Sequence, residues 1–127
     1  MLGYSSIRIA VADDDEAVRD AFAALIEAYD FDVRAFSSGT DLLRAHAAQP
    51  AHCLVIDHQM PGLNGLDVLQ TLRDNGDATP VILIAGMPNK AVHAKARSLG
   101  ALAVLYKPVS HAQLMVAVQQ AVASGKR

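Results

Sequence analysis

Tryptophan is absent from this chain of 127 residues, cysteine occurs once, and aromatic residues make up only 5%. A single cysteine, Cys53, excludes an internal disulfide, and with it the small scaffolds that rely on bridges in place of a core. Cys53 lies among apolar residues in HCLVID, the setting of an inert buried thiol and not of a reactive one. A cytoplasmic location fits that redox reading. No charge of one sign dominates: the formal net charge is −2. Phosphate backbones call for a basic patch, so this balance argues against direct nucleic-acid contact. No apolar run approaches the roughly 20 residues of a membrane-spanning helix. The N-terminal MLGYSSIRIAVADDD has too short an apolar stretch for a signal peptide and runs straight into acids. The histidines, His46, His52, His58, His93 and His111, lack zinc-site spacing and read as surface or half-buried side chains. Repeats and low-complexity segments are also missing, and the closing SGKR reads as a frayed end or the start of a linker.

What is present, 52% hydrophobic and 19% charged residues, suits one domain over residues 1–127 with its body at about 7–123. Short β-rich runs recur: IRIAVA (Ile7–Ala12), DVRAF (Asp32–Phe36), CLVI (Cys53–Ile56), VILIA (Val81–Ala85) and LAVLY (Leu102–Tyr106). The third and fourth are apolar throughout, as strands covered on both faces of a parallel sheet are. Helical spacing fills the gaps. Val18, Phe22, Leu25 and Tyr29 stripe the first, and Leu42, Leu43 and His46 the second, opened by Ser38 with Asp41 three residues on. Leu66, Leu69 and Leu72 mark the third, with Gly76 as a stop; Val92, Ala96 and Leu99 mark the fourth, ended by Gly100. Leu114, Val118 and Val122 mark the last, opened by a capping box of Ser110 and Gln113. These stripes predict core faces. Five β-then-α units with right-handed crossovers predict an α/β, doubly wound, flavodoxin-like (βα)5 fold with a five-stranded parallel sheet ordered 2-1-3-4-5.

Ligands of such sheets bind beyond the C-terminal strand ends, at the switch between strands 1 and 3. Strand 1 runs into Asp13-Asp14-Asp15, strand 3 into Asp57, strand 4 ends at Ala85-Gly86, and strand 5 runs into Lys107-Pro108. Asp13, Asp14 and Asp57 are therefore expected in one crevice. Carboxylates so close repel and raise one another's pKa. A hard divalent cation relieves that, and oxygen-only ligands suit Mg²⁺. Lys107 would add a fixed positive charge. A metal and a lysine around one carboxylate form the electrostatic cage of phosphoryl transfer, with Asp57 as the nucleophile. Each piece alone has a plainer explanation. Asp15-Glu16 complements a helix dipole, Lys107-Pro108 makes an ordinary turn, and Asp57 starts an Asx turn. The joint placement at four strand ends is the specific signal.

With those residues assembled, the chain resembles the CheY-like receiver domain of two-component response regulators, from Ile7 to about Val122. The likeness rests on VADDDEAVR, LVIDHQMPGLNGLDVL and LYKPV, and on Asp-x-x-Met-Pro-x-x-x-Gly from Asp57 to Gly65. The resemblance implies that Asp57 is a phosphoacceptor served by a histidine kinase or a phosphotransfer protein. It implies that Asp14 binds Mg²⁺ directly, Asp13 largely through water, and the backbone carbonyl of Gln59 as a further ligand. Lys107 would contact the phosphoryl group, Gly65 would open the third helix, and the Lys107-Pro108 bond would be cis. Such a module is no enzyme in the ordinary sense: it catalyses only its own phosphoryl transfer and dephosphorylation. Family members often dimerise or meet effectors through the face of the fourth helix, fifth strand and fifth helix. Here that face carries His93, Lys95, Arg97, Tyr106, His111 and Gln113. DDDEAVRDAF and GLDVLQTLRDNG lean towards regulators that end in a helix-turn-helix.

Two positions depart from the family pattern. Receivers usually carry Thr or Ser at the end of strand 4, where this chain has Ala85, and an aromatic switch residue three before the lysine, where it has Val104. Tyr106, directly before Lys107, is expected to face another way. These departures read either as drift, with signalling through the loop after strand 4, or as an altered or locked output. Two other functions compete. A receiver-like scaffold could bind partners without phosphorylation, although the intact acids and Lys107 speak against it. A dehalogenase-type aspartyl-phosphate hydrolase needs a second Asp two residues after Asp57, where Gln59 stands. Nucleotide-binding α/β proteins are disfavoured, since neither a Walker loop nor G-x-G-x-x-G follows the first strand.

Overall fold

The computed structural model describes residues 7–125. The first six residues of the stretch read against a signal peptide, and Lys126 and Arg127 of the tail, lie outside the described residues. Strands and helices alternate: β1 (Arg8–Ala12), α1 (Glu16–Glu27), β2 (Asp32–Phe36), α2 (Gly39–Ala48), β3 (Cys53–Asp57), α3 (Gly65–Asp74), β4 (Val81–Ala85), α4 (Lys90–Ser98), β5 (Ala103–Tyr106) and α5 (His111–Gly125). The strands form one parallel sheet in the order β2-β1-β3-β4-β5, as expected for a flavodoxin-like (βα)5 fold. Among the described residues no helix is long and apolar enough to cross a membrane.

The two-residue period of the strands divides the core between the sheet faces. Ala10, Leu54, Ile56 and Leu83 meet Leu42 of α2, Val68 and Leu69 of α3 and Ala96 of α4. Ile9, Val11, Val55 and Ile84 meet Ile26 of α1 and Leu114 and Val118 of α5. β3 and β4 are buried at every position, matching their unbroken apolar sequence. Burial pushes the Cys53 thiol up to about 12, which makes it inert. Local signals open the helices. The Ser38 side chain accepts from the Asp41 N–H, and Ser110 and Gln113 make both bonds of a capping box. Gly76 and Gly100, both at φ +75°, follow the ends of α3 and α4, a conformation that favours glycine.

Several expectations are corrected. Tyr29 is 48% exposed, because α1 ends at Glu27 and the chain turns through Asp30 at φ 69°; the core residue near that end is Ile26. His46 is buried, as its place in the α2 stripe predicts and beyond the surface or half-buried role expected of the histidines; its ring is satisfied there by bonds to Asp77 and to the Ala51 N–H. Ser124 and Gly125 belong to α5, so that part of the tail is helical. Leu102 stands outside β5.

Candidate functional site

The sheet delivers its acids to one edge. Asp13 follows β1 directly and is fully buried. Its N–H donates to the Phe36 carbonyl of β2, its Oδ1 accepts from the Asp15 N–H, and its carbonyl accepts from the Arg19 guanidinium. The next two acids separate in role. Asp15 caps α1, accepting from the Ala17 and Val18 N–H groups, whereas Asp14 is exposed at the crevice mouth. Asp57 ends β3 within the ladder, opposite Ile84, and is only 2% exposed. Its Oδ1 accepts from the Gln59 N–H at 3.3 Å.

Asp13, Asp14 and Asp57 each offer a carboxylate oxygen, all within 4.8 Å of one another. Lys107, just past β5, sets its Nζ 3.4 Å from Asp57 Oδ2 and 3.6 Å from Asp13 Oδ2. The Lys107-Pro108 bond is cis. Burial holds the Asp57 carboxyl above the usual carboxylate range, the charge of Asp13 adds to this, and Lys107 opposes both. Asp13 Oδ2 is buried and has no hydrogen-bond partner among the described residues. A hard divalent cation answers both features, since it bonds carboxylate oxygens and lowers their mutual repulsion.

Close approach of α3 fixes the loop after Asp57. A Cβ on Gly65 would lie 2.7 Å from His58 Cα and 3.0 Å from the Asp57 carbonyl, and the Gly65 N–H donates to the His58 carbonyl. α3 starts there under a capping box between Asn64 and Asp67, a local signal not singled out in the sequence. Gln59 is exposed at the loop's start. A cavity of about 410 Å³ lies beside it, lined by His58, Gln59, Ala85, Gly86, Met87, Pro88, Asn89 and Val92.

Ala85 ends β4 and pairs with Tyr106 across the ladder; Val104 pairs with Leu83. Tyr106 does not face away from Val104. Residues two apart on a strand share a face, and both point towards α4. Val104 lies against the core cluster that includes Ala96, and the Tyr106 hydroxyl is 3.0 Å from His93 Nδ1, with the two rings stacked at 6.5 Å and 16°. The strand period alone would have revealed this placement.

The family model described as response regulator receiver domain matches residues 9–119. This chain belongs to the response regulator receiver domain family. As a receiver it is 34% identical over 113 residues to the response regulator protein TmoT of Ectopseudomonas mendocina, a match covering 89% of this chain and 51% of that protein. It is 34% identical over 114 residues to the transcriptional regulatory protein FixJ of Azorhizobium caulinodans, covering 90% of this chain and 54% of the relative. The receiver thus spans about half the length of the curated relatives it matches. Among solved structures, the Francisella response regulator 1452 receiver domain superposes with a TM-score of 0.90 at 26% identity, covering 95% of this chain and 100% of that one. The dehalogenase-type alternative is set aside by this membership.

Proposed function

We propose that this receiver is a phosphorylation switch in which Asp57 takes a phosphoryl group from the phosphohistidine of a histidine kinase or a phosphotransfer protein. In the transfer an Asp57 carboxylate oxygen attacks phosphorus, the phosphorus–nitrogen bond breaks, and the imidazole leaves with the electron pair. The product is an acyl phosphate. Asp14 and Asp57 would hold Mg²⁺, with Asp13 contributing largely through water and Gln59 through its backbone carbonyl. That ion would neutralise charge on the phosphoryl oxygens. Lys107 Nζ, 3.4 Å from Asp57 Oδ2, would bind a phosphoryl oxygen, and the buried end of β3 keeps Asp57 in one orientation. The observation that carries this reading is the buried Asp57 carboxyl held among two further acids and Lys107. Ala85 and Val104 are the switch positions, and they alter the output and not the chemistry. The reading needs no nucleic-acid or membrane contact from these residues and suits a cytoplasmic protein.

Incubation with acetyl phosphate and Mg²⁺ tests it. The protein gains one phosphoryl group that hydroxylamine removes, and Asp57→Asn gains none. Uptake by Asp57→Asn as fast as by the parent would place the phosphoacceptor elsewhere. A second reading, a scaffold that binds partners without phosphorylation, is favoured by the missing hydroxyl at Ala85. It requires that partner binding be equal before and after phosphorylation.

A further inference from the structure

We propose that the connection between α2 and β3 is an acid-sensitive clasp, held shut by the neutral rings of His46 and His52. Both histidines lend a ring nitrogen to a backbone donor. His46 Nδ1 accepts from the Ala51 N–H at 3.0 Å, and His52 Nδ1 accepts from the Arg8 N–H at 2.9 Å. The two bonds bracket the connection. The first holds Ala51 against the last turns of α2, and the second ties His52, just before β3, to the start of β1. An imidazolium carries a proton on each nitrogen and accepts nothing. Protonation of either ring therefore sets N–H against N–H and removes that bond. The acidic crevice lies at the other end of the strands, so the clasp uses none of its groups.

The charged neighbours set how each ring responds. His46 Nε2 is 2.8 Å from Asp77 Oδ2 and 3.3 Å from the Thr79 hydroxyl. The Asp77 carboxylate favours a charged ring. Arg73 of α3 opposes it, with its guanidinium on the Asp77 and Thr79 carbonyls. Arg8 of β1 and Arg34 of β2 oppose it as well, since they line one small space with His46 and Ala51. On α2 itself, Asp41 and Arg44 are exposed and pair with each other. A proton on Nδ1 is accommodated only when Ala51 moves away, after which Asp77 keeps hold of the charged ring through Nε2. His52 is exposed; the charges beside it are Arg8 and, opposite Arg8 in the ladder, Asp32 of β2. Little else secures the connection. The Arg8 guanidinium bonds the Pro50 carbonyl and Arg34 bonds the Gln49 side chain, both in reach of solvent. The His52 N–H keeps its bond to the Arg8 carbonyl whatever the charge of the ring, so β3 stays in place while the connection opens.

Protection of backbone amides against hydrogen exchange, corrected for the intrinsic rate at each pH, reads the clasp directly. Between about pH 7.5 and about pH 5, where imidazoles take up protons, protection of the Ala51 and Arg8 amides is expected to fall roughly tenfold or more, while that of Val55 in β3 holds. His46→Asn and His52→Asn each put an amide oxygen near the place of Nδ1 and do not titrate. His46→Asn should make Ala51 protection independent of pH while that of Arg8 still falls; His52→Asn should do the reverse. Nitrogen resonances of the parent's imidazoles at neutral pH should show the proton on Nε2 of both rings, a readout that stands even where a variant fails to fold. A proton on Nδ1 of either ring, Ala51 protection that is unchanged in acid, or the same loss in His46→Asn would each overturn the proposal. So would an equal loss at Val55, which would assign the pH effect to the whole fold.

Discussion

At Asp57 a carboxyl that is 2% exposed faces Asp13 and Lys107. Its folded pKa is raised, by burial first and by Asp13 second, with Lys107 opposing. A raised carboxyl binds more protons folded than unfolded, so stability falls as pH rises from the unfolded carboxylate value through the folded one. Asp57→Asn removes that loss. In metal-free buffer at pH 7 it should melt above the parent, and the two should converge as pH falls below about 4. Thermal melts across that pH range check this. Ala85, 3% exposed, raises a separate question. A hydroxyl there would add a charge-assisted bond of roughly 1.5–3 kcal/mol to a phosphoryl oxygen. Inverting a 1:99 equilibrium takes about 5.5 kcal/mol, so that bond is a large share of the drive. Ala85→Thr should leave the phosphorylation rate within a few fold and enlarge the phosphorylation-induced amide shifts of residues 86–91.

Between elements, one polar cluster ties α2 to the connection between α3 and β4. His46 Nδ1 accepts from the Ala51 N–H, which leaves Nε2 to donate to Asp77 Oδ2 at 2.8 Å. Asp77 Oδ1 accepts from the Thr79 hydroxyl and N–H. Burial alone would raise the Asp77 carboxyl, but the bonds from Thr79 and His46 outweigh it and hold the carboxyl below the usual range. A depressed carboxyl stabilises the fold above its unfolded pKa, and that stability is lost as pH falls through the folded value. Asp77→Ala should therefore cost about 1–3 kcal/mol at neutral pH. The difference from the parent should shrink below about pH 4, as seen in urea unfolding midpoints at several pH values. The helix starts at Ser38 and Ser110 were legible because an N-cap is a local pattern. The Asn64–Asp67 box obeys the same rule and was equally open to reading.

For the molecule as a whole, a cation held at the acidic edge of the sheet would couple its binding to global stability. A cation that binds only the folded crevice stabilises the fold by mass action, about 2.7 kcal/mol at a hundred times its dissociation constant. Millimolar Mg²⁺ should raise the parent's melting temperature, and Asp14→Ala should blunt the rise. An unchanged melting temperature in both would argue against a cation at this cluster.

The strands, the helices and their order in the sheet could be read from the sequence alone. They rest on short-range periodicity, caps and the right hand of parallel crossovers, all written within a few residues. The meeting of Asp13, Asp14, Asp57 and Lys107 followed from the same reading, because every strand of a parallel sheet ends on one edge. Tertiary structure decided what depends on elements far apart in the chain. It buried His46 against Asp77, left Tyr29 in solvent, and raised the Asp57 carboxyl by the amount of protein around it. It also paired Tyr106 with His93, thirteen residues away. The strand period shows which face Tyr106 occupies, but only the seating of α4 against β5 supplies its partner.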